Sequence, residues 1–135
     1  PEVIAGSLVV CADVIEHLTN PLSLIALIRE MLDKASIALI STPDRVRTWG
    51  ADHEGPPPNL AHVQEWSLPE LRSLLEAEGI RVVDAVNTRA YTGDASGNTT
   101  LCLCASRSLG EEQVLSAAQV CRKVVYAGLG DELNT

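Results

Sequence analysis

Asp13, Glu16 and His17 stand close together, directly behind the apolar run Leu8-Val9-Val10-Cys11-Ala12. Further along, His62, Glu65 and Trp66 form a second group of polar and aromatic residues. An imidazole titrates near pH ~6.5, so His17 or His62 can take a proton from a hydroxyl at neutral pH. Carboxylates beside it can orient a bound molecule. Each residue also has a plainer reading. His17 can cap a turn or pack beneath a ligand, and His62 can be a solvated loop residue. Asp13 and Glu16 would be stabilised near a helix N-terminus whatever they bind. His53, between Asp52 and Glu54, invites a metal reading. It lacks a second ligand at helical spacing and a cysteine partner, so no metal ligand is assigned. Cys102 and Cys104 lie two apart on an expected strand, hence on one face, and read as small core residues.

These side chains need elements to hold them. Leu8–Ala12 shows no period-two alternation, so it reads as a strand buried on both faces. Open parallel sheets bind ligands beyond the carboxyl ends of their strands, where Asp13, Glu16 and His17 fall. Asn20-Pro21 supplies an N-cap and a first-turn proline. Leu24, Ile25, Ile28, Met31 and Leu32 then recur at helical spacing. Ile37–Ile40 is a second apolar run ending at Ser41-Thr42-Pro43. Strand, helix, strand predicts a βαβ unit with two parallel strands side by side and a right-handed crossover.

The stretch from Asp44 to Glu65 has no periodicity and carries Gly55-Pro56-Pro57-Pro58. It reads as a long binding loop or lid folding over the same crevice. Ser67-Leu68-Pro69-Glu70 is a capping box, opening a helix with Leu71, Leu74 and Leu75 inward and Gly79 as its stop. Strands are expected over Ile80–Val86 and Thr99–Ala105, joined by a long hairpin connection from Arg89 to Asn98. A final amphipathic helix over Glu111–Val125 presents Val114, Ala118, Cys121 and Val125. Residues 1–108 form the α/β domain on this reading, and 109–135 a helical extension.

The 135 residues, 46 % apolar and 21 % charged, suffice for one domain with its own core. A net charge of −8 argues against a nucleic-acid surface, and Arg45 with Arg47 is too small a basic cluster to reverse that. No apolar run reaches the roughly 20 residues that span a bilayer. The four cysteines lack zinc-type spacing, which fits reduced thiols in a cytoplasmic protein. The chain opens at Pro1 and reaches a fully apolar strand almost at once. It is therefore expected to enter its domain partway, with the missing half or a partner chain covering the open strand edge.

Val9-Val10-Cys11-Ala12-Asp13-Val14-Ile15-Glu16-His17-Leu18 followed by Asn20-Pro21 resembles the fourth strand and turn of class I S-adenosylmethionine-dependent methyltransferases. Ile40-Ser41-Thr42-Pro43-Asp44-Arg45 resembles the end of their fifth strand. Gly55-Pro56-Pro57-Pro58-Asn59, His62-Val63-Gln64-Glu65-Trp66-Ser67 and Glu70-Leu71 resemble a subgroup found beside glycan-processing enzymes. The resemblance implies a Rossmann-like sheet of which this chain supplies strands four to seven, ending in an antiparallel hairpin. It implies that Cys11, Ala12 and Asp13 lie against S-adenosylmethionine, mainly through backbone atoms. The residues' own chemistry makes His17 and His62 the candidate catalytic groups and Glu16, Glu65 and Trp66 the candidate acceptor contacts, and the family pattern adds weight to His62. The reaction expected of the parent protein is methyl transfer to a hydroxyl of a small molecule or glycan. The family's Gly-rich turn after a first strand does not occur here, so this chain alone is expected to bind the cofactor weakly and to be inactive. The alternative is a non-catalytic partner domain lacking the cofactor-binding half.

Overall fold

The computed structural model describes residues 7–33, 37–89 and 98–127. Four strands, β1 (Leu8–Ala12), β2 (Ile37–Pro43), β3 (Arg81–Arg89) and β4 (Asn98–Ala105), form one sheet in the order β1-β2-β4-β3. β1 and β2 are parallel, in the register Leu8 to Ile37 through Ala12 to Ser41. The helix joining them, α1 (Pro21–Leu32), makes the expected βαβ unit. β3 and β4 form the expected antiparallel hairpin, with an irregularity between Val82 and Asp84. The connection expected over Arg89–Asn98 lies outside the described residues apart from its two ends. The sheet order was not foreseen: β4 inserts between β2 and β3, antiparallel to both.

One face of the sheet carries α1 and α3 (Leu68–Ala77). Ile25, Ile28 and Leu32 from α1, with Leu71 and Leu75 from α3, meet Val9, Cys11, Ala38, Ile40, Cys102 and Cys104 in the core. Every second strand residue thus points into one layer, as the pleat requires. The other face carries α4 (Glu111–Ala127), which packs on β3 and β4 and buries Val114 and Ala118. The side chains of Cys121 and Val125 lie outside the described residues.

β1 corrects one expectation. Its burial alternates: Leu8 is 54 % and Val10 61 % exposed, while Val9 and Cys11 are buried. α4 sits over the hairpin side of the sheet and only borders Leu8 across a shared cleft, so among the described residues the far face of β1 is left more than half open. An apolar strand alone cannot say whether both its faces find a cover.

Local signals otherwise worked as chemistry predicts. Pro21 opens α1, although Asn20 gives its amide to Ser23 Oγ (2.9 Å) instead of capping the backbone. At α3, Glu70 Oε2 accepts the Ser67 N–H at 2.7 Å, completing the capping box. Gly79 ends that helix at φ +82°, a left-handed step that disfavours any side chain. The long loop is not structureless: α2 (Arg45–Trp49) begins it.

Candidate functional site

The crevice lies at the carboxyl ends of β1 and β2. Asp13 leaves β1 at φ +51°, in the left-handed region that Asp tolerates better than most residues. Its N–H still pairs with the Ser41 carbonyl at 3.0 Å, and its exposed carboxylate accepts a long 3.4 Å bond from Ser41 Oγ. The next turn, a 3-10 turn over Ile15–His17, points Ile15 and Glu16 into the core and His17 outward.

The long loop is stitched onto that turn. Glu16 O accepts Val63 N–H at 2.7 Å and Gln64 N–H at 3.3 Å. His17 Nδ1 lies 2.7 Å from Ala61 O. These bonds bring the His17 and His62 rings to 4.9 Å between centroids, edge to face at 81°. The convergence expected from the parallel strands is therefore present.

Each imidazole is held from behind. His62 Nδ1 meets Glu65 Oε1 at 2.5 Å, and Glu65 Oε2 accepts Trp49 Nε1–H at 2.6 Å. α2 thus orients His62 through Glu65. On its other side, His62 Nε2 lies 2.9 Å from Asn59 Nδ2. Trp49 and Asn59 escaped the sequence reading. Asp44 followed by Arg47 is an N-cap pattern that signals α2, but no spacing rule pairs Trp49 with Glu65.

Glu16, expected to face the acceptor, is instead the floor of the crevice. It is wholly buried, and its Oε2 accepts the Thr42 hydroxyl at 2.9 Å. Its Oε1 is buried and has no hydrogen-bond partner among the described residues, with His17 Nε2 at 3.9 Å. Glu65 and Trp66 are also buried, the first holding His62 and the second packed in the core. Both also line the cleft on the loop side, together with Arg45, His53 and Gln64. His53 stays within its own loop, where Nε2 lies 3.2 Å from Pro56 O.

A match to known sequences decides what kind of domain carries this crevice. Residues 7–85, more than half of the 135-residue chain, match a family described as "Methyltransferase domain". The chain belongs to the methyltransferase domain family. No curated protein matches it. Among solved structures, a chain in "Structure of the Pnkp1/Rnl/Hen1 RNA repair complex" aligns with a TM-score of 0.46 and 16 % identity. That alignment covers 73 % of this chain and 22 % of the other, so the chain spans well under half the length of its structural relative. The α/β architecture is that of a partial Rossmann-like methyltransferase sheet, as the resemblance implied. Among the described residues, no helix is long and apolar enough to cross a membrane.

Beside the crevice of this methyltransferase domain, Asp44 ties four elements together. It accepts the Arg47 and Leu68 N–H groups, Asn87 Nδ2 and Thr100 Oγ1, all at 2.9–3.0 Å. Burial pushes its carboxyl up, but these donors outweigh burial and hold it below the usual range. Glu70 is held at about 2, first by the Arg45 guanidinium at 2.6 Å. Burial pushes the Cys102 thiol up to about 12 and that of Cys104 higher still, which fits inert core cysteines.

Proposed function

We propose that the complete domain transfers a methyl group from S-adenosylmethionine to a hydroxyl of a small molecule or glycan. The observation that carries this reading is the meeting of two imidazoles at the carboxyl ends of β1 and β2 in a methyltransferase-family domain. When bound, S-adenosylmethionine supplies a methyl group on an electrophilic sulfonium. What remains for the protein is alignment and removal of the acceptor's proton. The exposed end of β1 fits one wall for such a group: Ala12 and Asp13 are exposed, and the positive φ of Asp13 turns the chain away from the strand direction. Cys11, Ala12 and Asp13 would hold the cofactor there.

His17 Nε2 is the atom placed to take the acceptor's proton. Its Nδ1 faces a carbonyl, which only accepts, so in the neutral ring Nδ1 carries the hydrogen and Nε2 keeps its lone pair. His62 borders the acceptor and is kept in place by Glu65. A cleft of about 690 Å³ on the loop side, lined by Arg45, His53, Pro56 and Gln64 among others, offers room for the acceptor's bulk. The Gly-Pro-rich loop supports a glycan acceptor by resemblance. The rest of the domain, or a partner chain, would cover the open edge of β1.

The test is release of S-adenosylhomocysteine by the full-length protein against a panel of glycans and small hydroxylated acceptors. Release should depend on a hydroxyl acceptor, and His17→Ala should lower turnover by about 10²–10⁴-fold with cofactor affinity nearly unchanged. His62→Ala should act mainly on acceptor KM. Full turnover in His17→Ala at every pH would sink the assignment of the base.

A further inference from the structure

The two imidazoles share a feature that proton transfer needs only once. His17 Nδ1 faces the Ala61 carbonyl, and His62 Nδ1 faces the Glu65 carboxylate. Both partners only accept, so both neutral rings are fixed in the tautomer with the hydrogen on Nδ1; the Nε2 lone pair of His17 has no hydrogen-bond donor among the described residues, and that of His62 accepts the exposed Asn59 amide at 2.9 Å. A carbonyl or carboxylate behind the distal ring nitrogen is the arrangement that orients histidine as a metal ligand. Glu65 is in turn fixed by Trp49, so the support behind His62 is two residues deep.

A third group points the same way. Glu16 is wholly buried, and its Oε1 is without a hydrogen-bond partner among the described residues. A buried carboxylate oxygen left unpaired is costly and rare in folded proteins. One ligand atom each from Glu16, His17 and His62 lies within 4.8 Å of the others.

We propose that Glu16, His17 and His62 bind one divalent transition-metal cation, of the Zn²⁺ class, in an open site with a position left for a further ligand. Two imidazole nitrogens and one carboxylate oxygen form a donor set for a borderline cation, whereas Mg²⁺ and Ca²⁺ prefer oxygen alone. Three protein ligands with an open position is the catalytic form of such sites. At bond lengths of about 2.0–2.2 Å, ligand atoms stand about 3.5 Å apart, so the trio must close by about 1 Å. His17 has the freedom to do so, its side chain being 41 % exposed. Asn59, whose amide lies against His62 Nε2, is exposed and must swing aside. Sequence spacing points only to His53 and to the Cys102–Cys104 pair as metal-ligand candidates, and neither belongs to this trio. The fold brings His62 beside a Glu-His pair 45 positions earlier (62 − 17).

The site concerns the same crevice as the methyl-transfer reading but does not rest on it: with the cation on Nε2, His17 is a ligand and no longer the base, so the two uses of that lone pair exclude each other, and binding is measured without cofactor or acceptor. Full-length protein stripped with a chelator is titrated with Zn²⁺ by calorimetry and with Co²⁺ by visible absorption. One equivalent should bind with micromolar affinity or better, unaffected by millimolar Mg²⁺. Glu16→Gln and His17→Ala should each weaken binding at least 100-fold. Glu65→Gln, which touches no ligand position, should weaken it by about 10–100-fold. His17→Ala is the variant least able to disturb folding, and a thermal melt verifies all three. Absence of stoichiometric uptake, or wild-type affinity in a folded Glu16→Gln or His17→Ala protein, overturns the site. A bound water on Glu16 Oε1 would give that negative result and leave His17 free as the base. Conversely, tight metal binding with no methyl transfer would remove the proposed reaction and leave the site standing.

Discussion

Two buried carboxylates stand at the carboxyl ends of adjacent parallel strands, and they are treated in opposite ways. Asp44, just past β2, receives four hydrogen bonds from four segments of the chain. Among the described residues, Glu16, just past β1, receives one, from Thr42, and has an oxygen without a hydrogen-bond partner. The threonines that serve them are direct cross-strand partners: Thr42 gives its hydroxyl to Glu16 and Thr100 gives its own to Asp44. Same chemistry, same depth, and one is saturated while the other is not. A saturated carboxylate has no valence left for a ligand and serves the fold. An unsaturated one keeps an acceptor position open.

The contrast is tested first by substituting the saturated member. Asp44→Asn replaces two acceptor oxygens with one and sets an amide donor against groups that also donate. It should cost about 2–4 kcal/mol in urea unfolding, the largest effect foreseen here. A cost below 1 kcal/mol would show that the four bonds are not acting together.

Acid gives a second view of the same hub. Asp44 and Glu70 are both held below their unfolded values, Glu70 at about 2 against 4.5. Groups lowered on folding contribute stability that is fully present above the unfolded value and lost as pH falls through the folded one. The melting temperature should therefore fall between pH ~5 and ~2, and more shallowly in Asp44→Asn. Parallel profiles would mean that other carboxylates govern acid unfolding. The contribution of Glu70 is reduced by solvent, since half its side chain is exposed.

Glu16→Gln should be far milder, changing stability by no more than about 1 kcal/mol, because only one bond, from Thr42, is at stake. A loss as large as that of Asp44→Asn would erase the distinction between the two carboxylates. At the bottom of the scale, Glu76→Gln breaks an exposed pair with Arg72 four residues earlier on α3. It should move the melt by no more than about 0.5 kcal/mol.

How much of this was legible depends on whether a feature is local. The βαβ unit, the capping box of α3, the Gly79 stop and the hairpin all rest on neighbouring residues, and each was read from periodicity or turn chemistry. The meeting of His17 with His62 was also readable, since parallel strands put both on one side of the sheet. What stayed hidden is decided across long separations. Nothing near Glu16 announces that Thr42 will satisfy half of it, and nothing near Asp44 announces Asn87 and Thr100. The exposed flank of β1 was misread for a related reason: apolar residues record a need for cover, not its supply. Position beside His62 marks Glu65 and Trp66 as loop residues, but nothing in that spacing shows that both are mostly buried where they line the cleft, nor that Glu65 will accept from Trp49.

The place of β4 in the sheet has a consequence for how the protein is made. β4 is the last strand among the described residues, yet it lies between β2 and β3 and pairs with both. During synthesis β1, α1 and β2 leave the ribosome early and wait with one edge of β2 unpaired. β3 has no neighbour until β4 follows it. The hairpin then forms locally and must dock as a unit, closing the long excursion that holds α2, the histidine loop and α3. Until Ala105 emerges, the inner edge of β2 and both edges of β3 stay unpaired, which makes this interval the one in which chaperones or wrong partners compete for the nascent chain.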